Sequence, residues 1–335
     1  MAELNLDQLF HQLASMKVGV VGDIMLDTYW WGNVDRVSPE APVPVVALTK
    51  KEHRLGGAGN VALNVHALGA GVSVISVLGK DEDGDQLAKL LNQHDIGTSY
   101  LVHSDHRITT NKTRIISRNQ QMMRLDAEMV DDLCKEDEDR LIYVFEQFLA
   151  AERPDIVILE DYNKGVLTEQ VITSIISLCK KNGIATAVDP KRRNFFAYKG
   201  VDLFKPNIKE AREGLNMLNN NVSMSLLEDI HISLEEKLGH KASLVTLSEK
   251  GIFFQQGERA GLIPAYLHNV ADVSGAGDTV IAVASLVYAA TKDIELMAGM
   301  ANIAGGLVCG EVGTVAIDRE KFKVKCQALL AWPRC

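Results

Sequence analysis

The segment DVSGAGDT, residues 272–279, leads directly into an apolar stretch, Val280–Ala290. Three small residues before a helix leave backbone N–H groups free to bind an anion, and the helix macrodipole adds positive potential there. Asp278 would lie in the first helical turn, next to that anion. The pattern suits phosphoryl transfer, in which the backbone at Gly275, Ala276 and Gly277 stabilises developing charge while Asp278 takes a hydroxyl proton. A tight turn with Asp278 as a capping carboxylate is the alternative.

Short apolar segments alternate with helical patterns along most of the chain. KVGVVG, residues 17–22, is typical of a buried strand. The other predicted strands are 72–78, 155–159, 185–188, 201–204 and 243–247, and the predicted helices are 59–68, 85–94, 135–151, 168–182, 208–217, 225–238 and most of the chain from 277. This order predicts an α/β fold with a mainly parallel sheet, helices on both faces and right-handed crossovers. We assign this large domain to residues 15–330.

Two polar, β-rich segments break the alternation, Tyr29–Leu48 and Thr109–Asp126. Neither is followed by the helix that a parallel strand requires. We therefore predict a small antiparallel sheet that is inserted into the large domain, with the inserted segments at residues 24–48 and 108–127. Such a sheet could close over a ligand as a lid.

A second glycine cluster, GGAGN, covers residues 56–60. Glycines there would let the backbone approach a ligand, and the amide of Asn60 could both donate to and accept from a sugar hydroxyl. No strand is predicted immediately before the cluster, and no G-x-G-x-x-G is present. Close packing of a helix on the sheet is the alternative.

Composition excludes several classes of protein. The 335 residues carry a formal charge of −9, which argues against a nucleic-acid-binding protein. No apolar stretch is long enough to span a membrane, and the first 16 residues lack the features of a signal peptide. The five cysteines are scattered, which predicts reduced thiols and no zinc site. We therefore expect a cytoplasmic protein without nucleic-acid or membrane partners.

The two glycine-containing motifs together resemble the two signature regions of the ribokinase-like (PfkB) carbohydrate kinases. The resemblance covers about residues 17–330 and implies a three-layer α/β/α sandwich with a small β-sheet lid. It places the catalytic base at Asp278 and the anion hole at residues 275–277. The family usually has threonine where Val273 or Ser274 stands, which leaves this chemistry intact.

The same resemblance implies a nucleotide site for ATP. KPNIKE, residues 205–210, resembles the family's Asn-x-x-Glu motif, so that Asn207 and Glu210 would hold Mg²⁺ through water near the phosphates, with Lys205 beside them. TLSEKG, residues 246–251, resembles the strand and turn beneath ATP and supplies Thr246, Ser248 and Gly251. Asn302 falls where the family lines the adenine pocket. A monovalent cation, K⁺, is a further expectation.

Four segments narrow the resemblance to the bacterial heptose 7-phosphate kinases of lipopolysaccharide core synthesis: residues 22–32, 36–46, 117–126 and 160–167. Those enzymes use ATP to phosphorylate O1 of D-glycero-D-manno-heptose 7-phosphate. Some carry a fused nucleotidyltransferase domain, and this chain, ending at Cys335, resembles the kinase part alone. Other acceptors (ribose, a fructose phosphate, a nucleoside) and a non-catalytic sugar or nucleotide sensor are the alternatives.

Polar and cationic residues in the sugar-side segments are the candidates for binding the phosphorylated acceptor. Arginine suits bidentate contacts to phosphate, and each cation alone could equally be a solvated surface charge. A turn-capping role is the alternative for Asp27, which follows Asp23 on the same segment. Trp30 and Trp31 favour a homodimer formed through the lid over direct stacking on the sugar. The substrate candidates are Asp23, Gly56, Gly57, Asn60, Arg118, Asn119, Arg124, Asp161, Lys164, Asp189 and Lys191.

Overall fold

The computed structural model describes residues 5–118, 120–217, 221–266 and 271–330. Strands and helices alternate along most of this length, as the sequence predicts. The strands are β1 (Lys17–Gly22), β2 (Ile24–Val37), β3 (Pro44–Gly57), β4 (Gly71–Gly79), β5 (Leu101–Ser104), β6 (Asn111–Ser117), β7 (Gln120–Ala127), β8 (Ile156–Glu160), β9 (Ala185–Asp189), β10 (Leu203–Phe204), β11 (Ala242–Thr246), β12 (Ile252–Gln256) and β13 (Arg259–Ile263). The helices are α1 (Leu6–Ser15), α2 (Ala58–Ala67), α3 (Glu82–Gln93), α4 (Lys135–Glu152), α5 (Glu169–Asn182), α6 (Ile208–Leu215), α7 (Met224–Leu238), α8 (Ala276–Thr291), α9 (Ile294–Val308) and α10 (Arg319–Leu330).

Nine strands form the main sheet in the order β13-β12-β11-β10-β9-β8-β1-β4-β5. All neighbours from β11 to β5 are parallel, and β12 and β13 add an antiparallel hairpin at one edge. The sequence analysis did not predict β5, β12 or β13. β5 has only four residues, and the two strands of the hairpin follow each other without an intervening helix of the kind that separates most neighbouring strands of the parallel series.

Helices cover both faces of this sheet, and alternate residues of the central strands separate two apolar cores. In β8, Ile156 and Ile158 belong to the core shared with α1, α2, α3, α8, α9 and α10. Val157 and Leu159 belong to the core shared with α4, α5, α6 and α7. The three-layer α/β/α architecture expected from the sequence is confirmed.

Four strands form a separate small sheet in the order β3-β2-β6-β7. The predicted antiparallel pairing is right for β2–β3 and β6–β7 but wrong for the central pair, because β2 and β6 run parallel. The first inserted segment also extends past residue 48, since β3 continues to Gly57 and enters α2 without a loop. A strand therefore does precede the glycine cluster at residues 56–60, contrary to the sequence prediction.

The parallel strands β1, β8 and β9 end side by side, because Gly22 is in register with Glu160 and Glu160 with Asp189. Ligands bind open α/β sheets at this carboxyl edge. Separately, no helix in the described part of the chain is long and apolar enough to cross a membrane.

Candidate active site

Asp278 lies in the first turn of α8, at the carboxyl edge of the main sheet. Its side chain is 2% exposed, and both carboxylate oxygens accept hydrogen bonds. The hydroxyl of Tyr162 donates to Oδ1 at 2.7 Å, and Nδ2 of Asn60 donates to Oδ2 at 2.8 Å. Burial raises the pKa of Asp278 to about 6, although these two hydrogen bonds favour its charged form. An oriented carboxylate with this pKa can accept a proton near neutral pH.

Gly275 caps α8 with φ 77°, a left-handed conformation that glycine adopts without strain. A Cβ at this position would come within 2.6 Å of Nδ2 of Asn60, the donor to Asp278. The sequence thus brings its two glycine motifs together at the start of one helix. The N–H of Ala276 donates to the carbonyl of Val273 at 3.3 Å, so this member of the predicted anion hole already has a partner.

Asp189 lies between two lysines. Its carboxylate is 2.7 Å from Nζ of buried Lys205 and 3.2 Å from Nζ of Lys191. Burial alone would raise the pKa of Asp189, but the two ammonium groups outweigh it and lower the pKa. Lys191 also pairs with Glu210 at 2.9 Å. The structure therefore joins Asp189, Lys191, Lys205 and Glu210 into one ionic network.

Glu160 is a site residue that the sequence analysis missed. It is fully buried at the end of β8, and neither carboxylate oxygen has a hydrogen-bond partner among the described residues. Burial, together with the charges of Asp189 and Asp278, raises the pKa of Glu160 well above its usual range. Its place in the sequence, directly before Asp161 at a strand's end, could have indicated it.

Asp23 holds the loop that follows β8. Its oxygens accept backbone N–H bonds from Tyr162 at 2.7 Å, Lys164 at 3.0 Å and Val166 at 3.1 Å. Asp161, in the same loop, accepts from the hydroxyl of Tyr198 and from its own neighbour Asn163, each at 2.7 Å. Both predicted sugar contacts are therefore buried and occupied by protein donors. Through this loop Asp23 positions Tyr162 against Asp278.

Gly56 and Gly57 lie close to Asp27 and Asp23. A Cβ on Gly56 would come within 2.7 Å of Oδ2 of Asp27, and one on Gly57 within 2.3 Å of the carbonyl of Asp23. The turn-capping alternative for Asp27 is wrong, because Asp27 lies within β2 and its carboxylate accepts a 2.5 Å hydrogen bond from Arg114.

A cavity of about 400 Å³ opens beside the first turn of α8. It brings together most of the residues predicted from sequence to contact the nucleotide or its phosphates. Tyr266, Ile252 and Val280 add apolar surface, and the side chain of Asn302 donates to the carbonyl of Pro264 at 2.8 Å. The predicted residues that line it are Thr246, Ser248, Gly251, Ala276, Gly277 and Asn302.

Asn207 and Glu210 form the N-terminal capping box of α6. The Asn207 side chain accepts from the N–H of Glu210, and the Glu210 side chain accepts from the N–H of Asn207, both at 2.8 Å. The described residues contain no group of three or more acidic, histidine or cysteine side chains that could hold a metal by themselves. The side-chain oxygens of Asn207 and Glu210 are suitable ligands for a Mg²⁺ ion that keeps most of its waters and also contacts phosphate groups.

The structure places three of the cations predicted to bind the acceptor, Arg118, Arg124 and Lys164, at two different locations. Arg118 is 76% exposed in its side chain and lies 3.7 Å from Asp35, and Arg124 makes a bidentate pair with Asp126 at 2.8 and 2.9 Å. These contacts are within the small sheet and not with the residues around Asp278. Lys164 instead lies in the loop held by Asp23 and pairs with Glu128 at 2.7 Å. Asn119 lies outside the described residues.

Lys112 and Arg114 of β6 are two cations that the sequence analysis did not select. Nζ of Lys112 is 5.2 Å from the ring centroid of Tyr162, and the guanidinium of Arg114 lies 5.3 Å from that of Tyr29. Both are partly buried on this strand of the small sheet. Their alternate spacing, i and i+2, places both on one face of β6.

Comparison with models of known protein families shows which family this chain belongs to. The model of the pfkB family carbohydrate kinases matches residues 15–321. The chain belongs to the PfkB family of carbohydrate kinases. The resemblance seen in the sequence is thereby confirmed at the level of the family and of its fold.

Two relatives show the extent of the similarity. The chain is 40% identical over 302 residues to the bifunctional protein HldE of Sulfurimonas denitrificans, which covers 90% of this chain and 62% of that protein. It is 41% identical over 318 residues to HldE of Desulfatibacillum aliphaticivorans, which covers 94% of this chain and 64% of that protein. The chain thus spans just under two thirds of the length of these relatives.

Solved structures share the fold of this PfkB member. Phosphofructokinase-2 from Escherichia coli, in complex with potassium, superposes with a TM-score of 0.78 at 20% identity and covers 95% of this chain and 100% of its own. Ribokinase from Arabidopsis thaliana, complexed with ribose and ATP, superposes with a TM-score of 0.71 at 18% identity and covers 93% and 98%.

Proposed function

We propose that this protein is an ATP-dependent sugar kinase that phosphorylates the anomeric O1 of D-glycero-D-manno-heptose 7-phosphate. The product would be the 1,7-bisphosphate, a precursor of ADP-heptose and of the lipopolysaccharide core. The observation that carries the kinase proposal is the position of Asp278, a buried carboxylate in the helical turn whose residues Ala276 and Gly277 also line the 400 Å³ cavity.

In the proposed reaction, the oxygen of the sugar hydroxyl attacks the γ-phosphorus of ATP. Asp278 accepts the proton of that hydroxyl as the attack proceeds. The bond from that phosphorus to the β-phosphate oxygen breaks, and ADP leaves with the bonding electrons. Asn60 holds Oδ2 of Asp278 at 2.8 Å, which fixes the plane of the carboxylate during the transfer. The proton then resides on a group whose pKa is about 6, so it is readily lost to water.

Charge on the transferred group would be stabilised from two sides. The N–H groups at the start of α8, at Gly275 and Gly277, supply the dipolar side. Lys191 and Lys205 supply the cationic side, because both lie against Asp189, and the carboxylate of Asp189 is 3.7 Å from the position of a Cβ on Gly277. The ion pairs of Asp189 with Lys191 and Lys205 would keep both ammonium groups near the start of α8.

The cavity beside α8 is the proposed site of ATP, the phosphate donor. Apolar groups from Ile252, Tyr266 and Val280 suit a base, and the polar groups of Thr246, Ser248 and Asn302 can contact it or its ribose. Asn207 and Glu210 would hold Mg²⁺ through water molecules. The bound Mg²⁺ would neutralise charge on the phosphates. A requirement for K⁺ remains part of the proposal.

The choice of acceptor depends on sequence similarity. The four segments that resemble heptose 7-phosphate kinases, together with 37–41% identity to HldE proteins, favour the heptose phosphate. A different PfkB acceptor, such as ribose, a fructose phosphate or a nucleoside, is the second candidate. A non-catalytic sensor would not need a base with two oriented donors, and so is the least favoured.

The small sheet is proposed as a lid that excludes water from the acceptor, which would limit hydrolysis of ATP. It would also carry the homodimer contact. Every residue of β7 is exposed, and apolar side chains are among them, including Met123 and Leu125. Exposed apolar side chains on a strand at the edge of a sheet are typical of a surface that pairs with another chain.

The test is release of ADP across a panel of acceptors. We expect release with D-glycero-D-manno-heptose 7-phosphate and little with the same heptose lacking phosphate, ribose, fructose phosphates or nucleosides. Release with another sugar alone would replace the heptose proposal by that acceptor. No release above the ATP background with any acceptor would contradict the kinase proposal.

A further inference from the structure

Lys112 combines partial burial with the lack of an anionic partner. It lies on β6, and among the described residues no carboxylate is within 4.0 Å of its ammonium group. The group rests instead over the ring of Tyr162, 5.2 Å from its centroid. Burying a cation without an anion is unfavourable, so proteins rarely do it without a reason in binding or catalysis.

The ammonium group of Lys164 is close enough to act on that of Lys112 through its charge. Burial lowers the pKa of Lys112; among the nearby charges, Asp27 and Glu128 raise it, whereas Lys164 and Arg114 lower it. Lys164 is held in place from both ends: its backbone N–H donates to Asp23 at 3.0 Å, and its Nζ pairs with Glu128 at 2.7 Å. An anion placed between the two lysines would relieve their repulsion.

The position of Lys112 relative to Asp278 defines the ligand. The ring of Tyr162 lies between them, with its hydroxyl on Asp278 at 2.7 Å and Lys112 over its ring. Lys191 also lies over this ring, at 5.4 Å, but it is paired with Asp189 and Glu210 of the ionic network. Tyr162 thus contacts both groups, and an acceptor whose reacting hydroxyl lies at Asp278 could extend past this ring towards Lys112.

We propose that Lys112, with Lys164 beside it, binds the phosphate group that the acceptor sugar already carries. The inference rests on the proposed function and assigns the part of the site that selects a phosphorylated over a plain sugar. Lysine suits this role as a compact charge with three donors, and a phosphate monoester near neutral pH carries more than one negative charge.

Lys112 takes the phosphate-binding role that the sequence analysis suggested for Arg118 and Arg124. Arg118 and Arg124 pair with acidic residues within the small sheet, whereas Lys112 lies over the ring of Tyr162, which contacts Asp278. Because β6 belongs to the small sheet and Lys164 to the loop after β8, a phosphate bound by both would connect the lid to the main domain.

The test compares three variants with a sugar phosphate and its phosphate-free counterpart. Lys112→Met removes the charge and keeps the length, Lys112→Arg keeps the charge, and Lys50→Met is the control, because Lys50 is an exposed lysine of β3. We expect Lys112→Met to raise the KM for heptose 7-phosphate roughly 10- to 100-fold, as for loss of a hydrogen bond to a charged group. The KM for ATP and the weak activity with plain heptose should change little, and Lys112→Arg should recover most of the loss.

Equal losses with both sugars, or no loss with the phosphorylated one, would overturn the assignment. A wild-type protein that releases no ADP with any acceptor would instead contradict the proposed function, and the subsite is then tested by binding. Inorganic phosphate should raise the melting temperature of the wild type and of Lys50→Met more than that of Lys112→Met. An equal rise in all three, each folded by circular dichroism, would also overturn the assignment.

Discussion

The hydroxyl of Tyr162 donates a 2.7 Å hydrogen bond to Oδ1 of Asp278, the oxygen that Asn60 leaves free. The two donors together occupy the carboxylate from both sides. In the proposed reaction, a sugar hydroxyl that gives its proton to Asp278 would share one of these oxygens with its donor or displace that donor. In that reaction Tyr162 would be a positioning residue, since it acts through Asp278.

The acidic limb of the pH profile follows from the burial of Asp278. Because burial raises its pKa to about 6, the carboxylate is ionised above that pH and protonated below it. We expect kcat/KM to be nearly constant above pH 7 and to fall about tenfold per pH unit below about 6. The measurement is kcat/KM for the acceptor across pH 4.5–8.5. A profile flat down to pH 5 would contradict Asp278 as the base.

Replacement of Tyr162 by phenylalanine removes one of the two hydrogen bonds that favour the charged carboxylate. The pKa of Asp278 should then rise, so the acidic limb of the Tyr162→Phe profile should move to higher pH than in the wild type. Tyr198→Phe is the matched control, because Tyr198 is a buried tyrosine that donates to Asp161 and not to Asp278. If both variants shift the limb equally, or neither does, Tyr162 does not tune the base.

Gly275→Ala tests the tight contact at the start of α8. Alanine at φ 77° is strained by roughly 1–2 kcal/mol. Its Cβ would also come within 2.6 Å of Nδ2 of Asn60 and displace the donor to Asp278. We expect a loss in kcat/KM on the order of 10- to 100-fold, because small displacements at a reacting group are costly.

The control for Gly275 is Gly239, at the end of α7. Its φ is 62°, and a Cβ there would meet no atom within 4 Å. Gly239→Ala should therefore share the backbone strain and keep the activity. Equal kinetic losses in both variants would show that the Gly275 effect is one of stability alone.

Lys205→Met breaks a buried ion pair and leaves Asp189 with one lysine. Removal of one partner from such a pair costs about 3–5 kcal/mol, because the remaining charge stays buried. Lys241→Met removes a 65% exposed lysine from Asp202 and should cost under about 1 kcal/mol. Urea unfolding measures both free energies. A Lys205→Met protein as stable as Lys241→Met would contradict the description of Asp189 as a carboxylate that depends on two cations.

The sequence predicts the fold well where periodicity is strong. Buried apolar segments such as KVGVVG at 17–22 and the long helix after Gly277 have the same form in the structure. Pairing partners are less predictable, because the parallel contact of β2 with β6 joins segments about 85 residues apart and leaves no local signal. The hairpin β12–β13 is also absent from the sequence prediction, because its two strands follow β11 without the α-helix that separates most neighbouring strands of the parallel series.

Site residues likewise divide into those that a local motif indicates and those that depend on residues distant in the sequence. Asp278, Asn60 and Gly275 were selected from local motifs, and the structure brings them into contact. Glu160, Tyr162 and Lys112 were not, since their significance depends on what surrounds them: a carboxylate without a partner, a phenol on the base, and an ammonium group over that phenol. A tyrosine or lysine in a polar loop has no mark in the sequence that separates it from a surface residue.

The most direct test of Asp278 as the base is the turnover of Asp278→Asn with heptose 7-phosphate, measured beside its affinity for ATP. Asparagine keeps the shape of the side chain and cannot accept the proton. We predict a fall in kcat of roughly 10²- to 10⁴-fold with nearly unchanged ATP affinity. Near-normal turnover in a correctly folded Asp278→Asn protein would contradict the account.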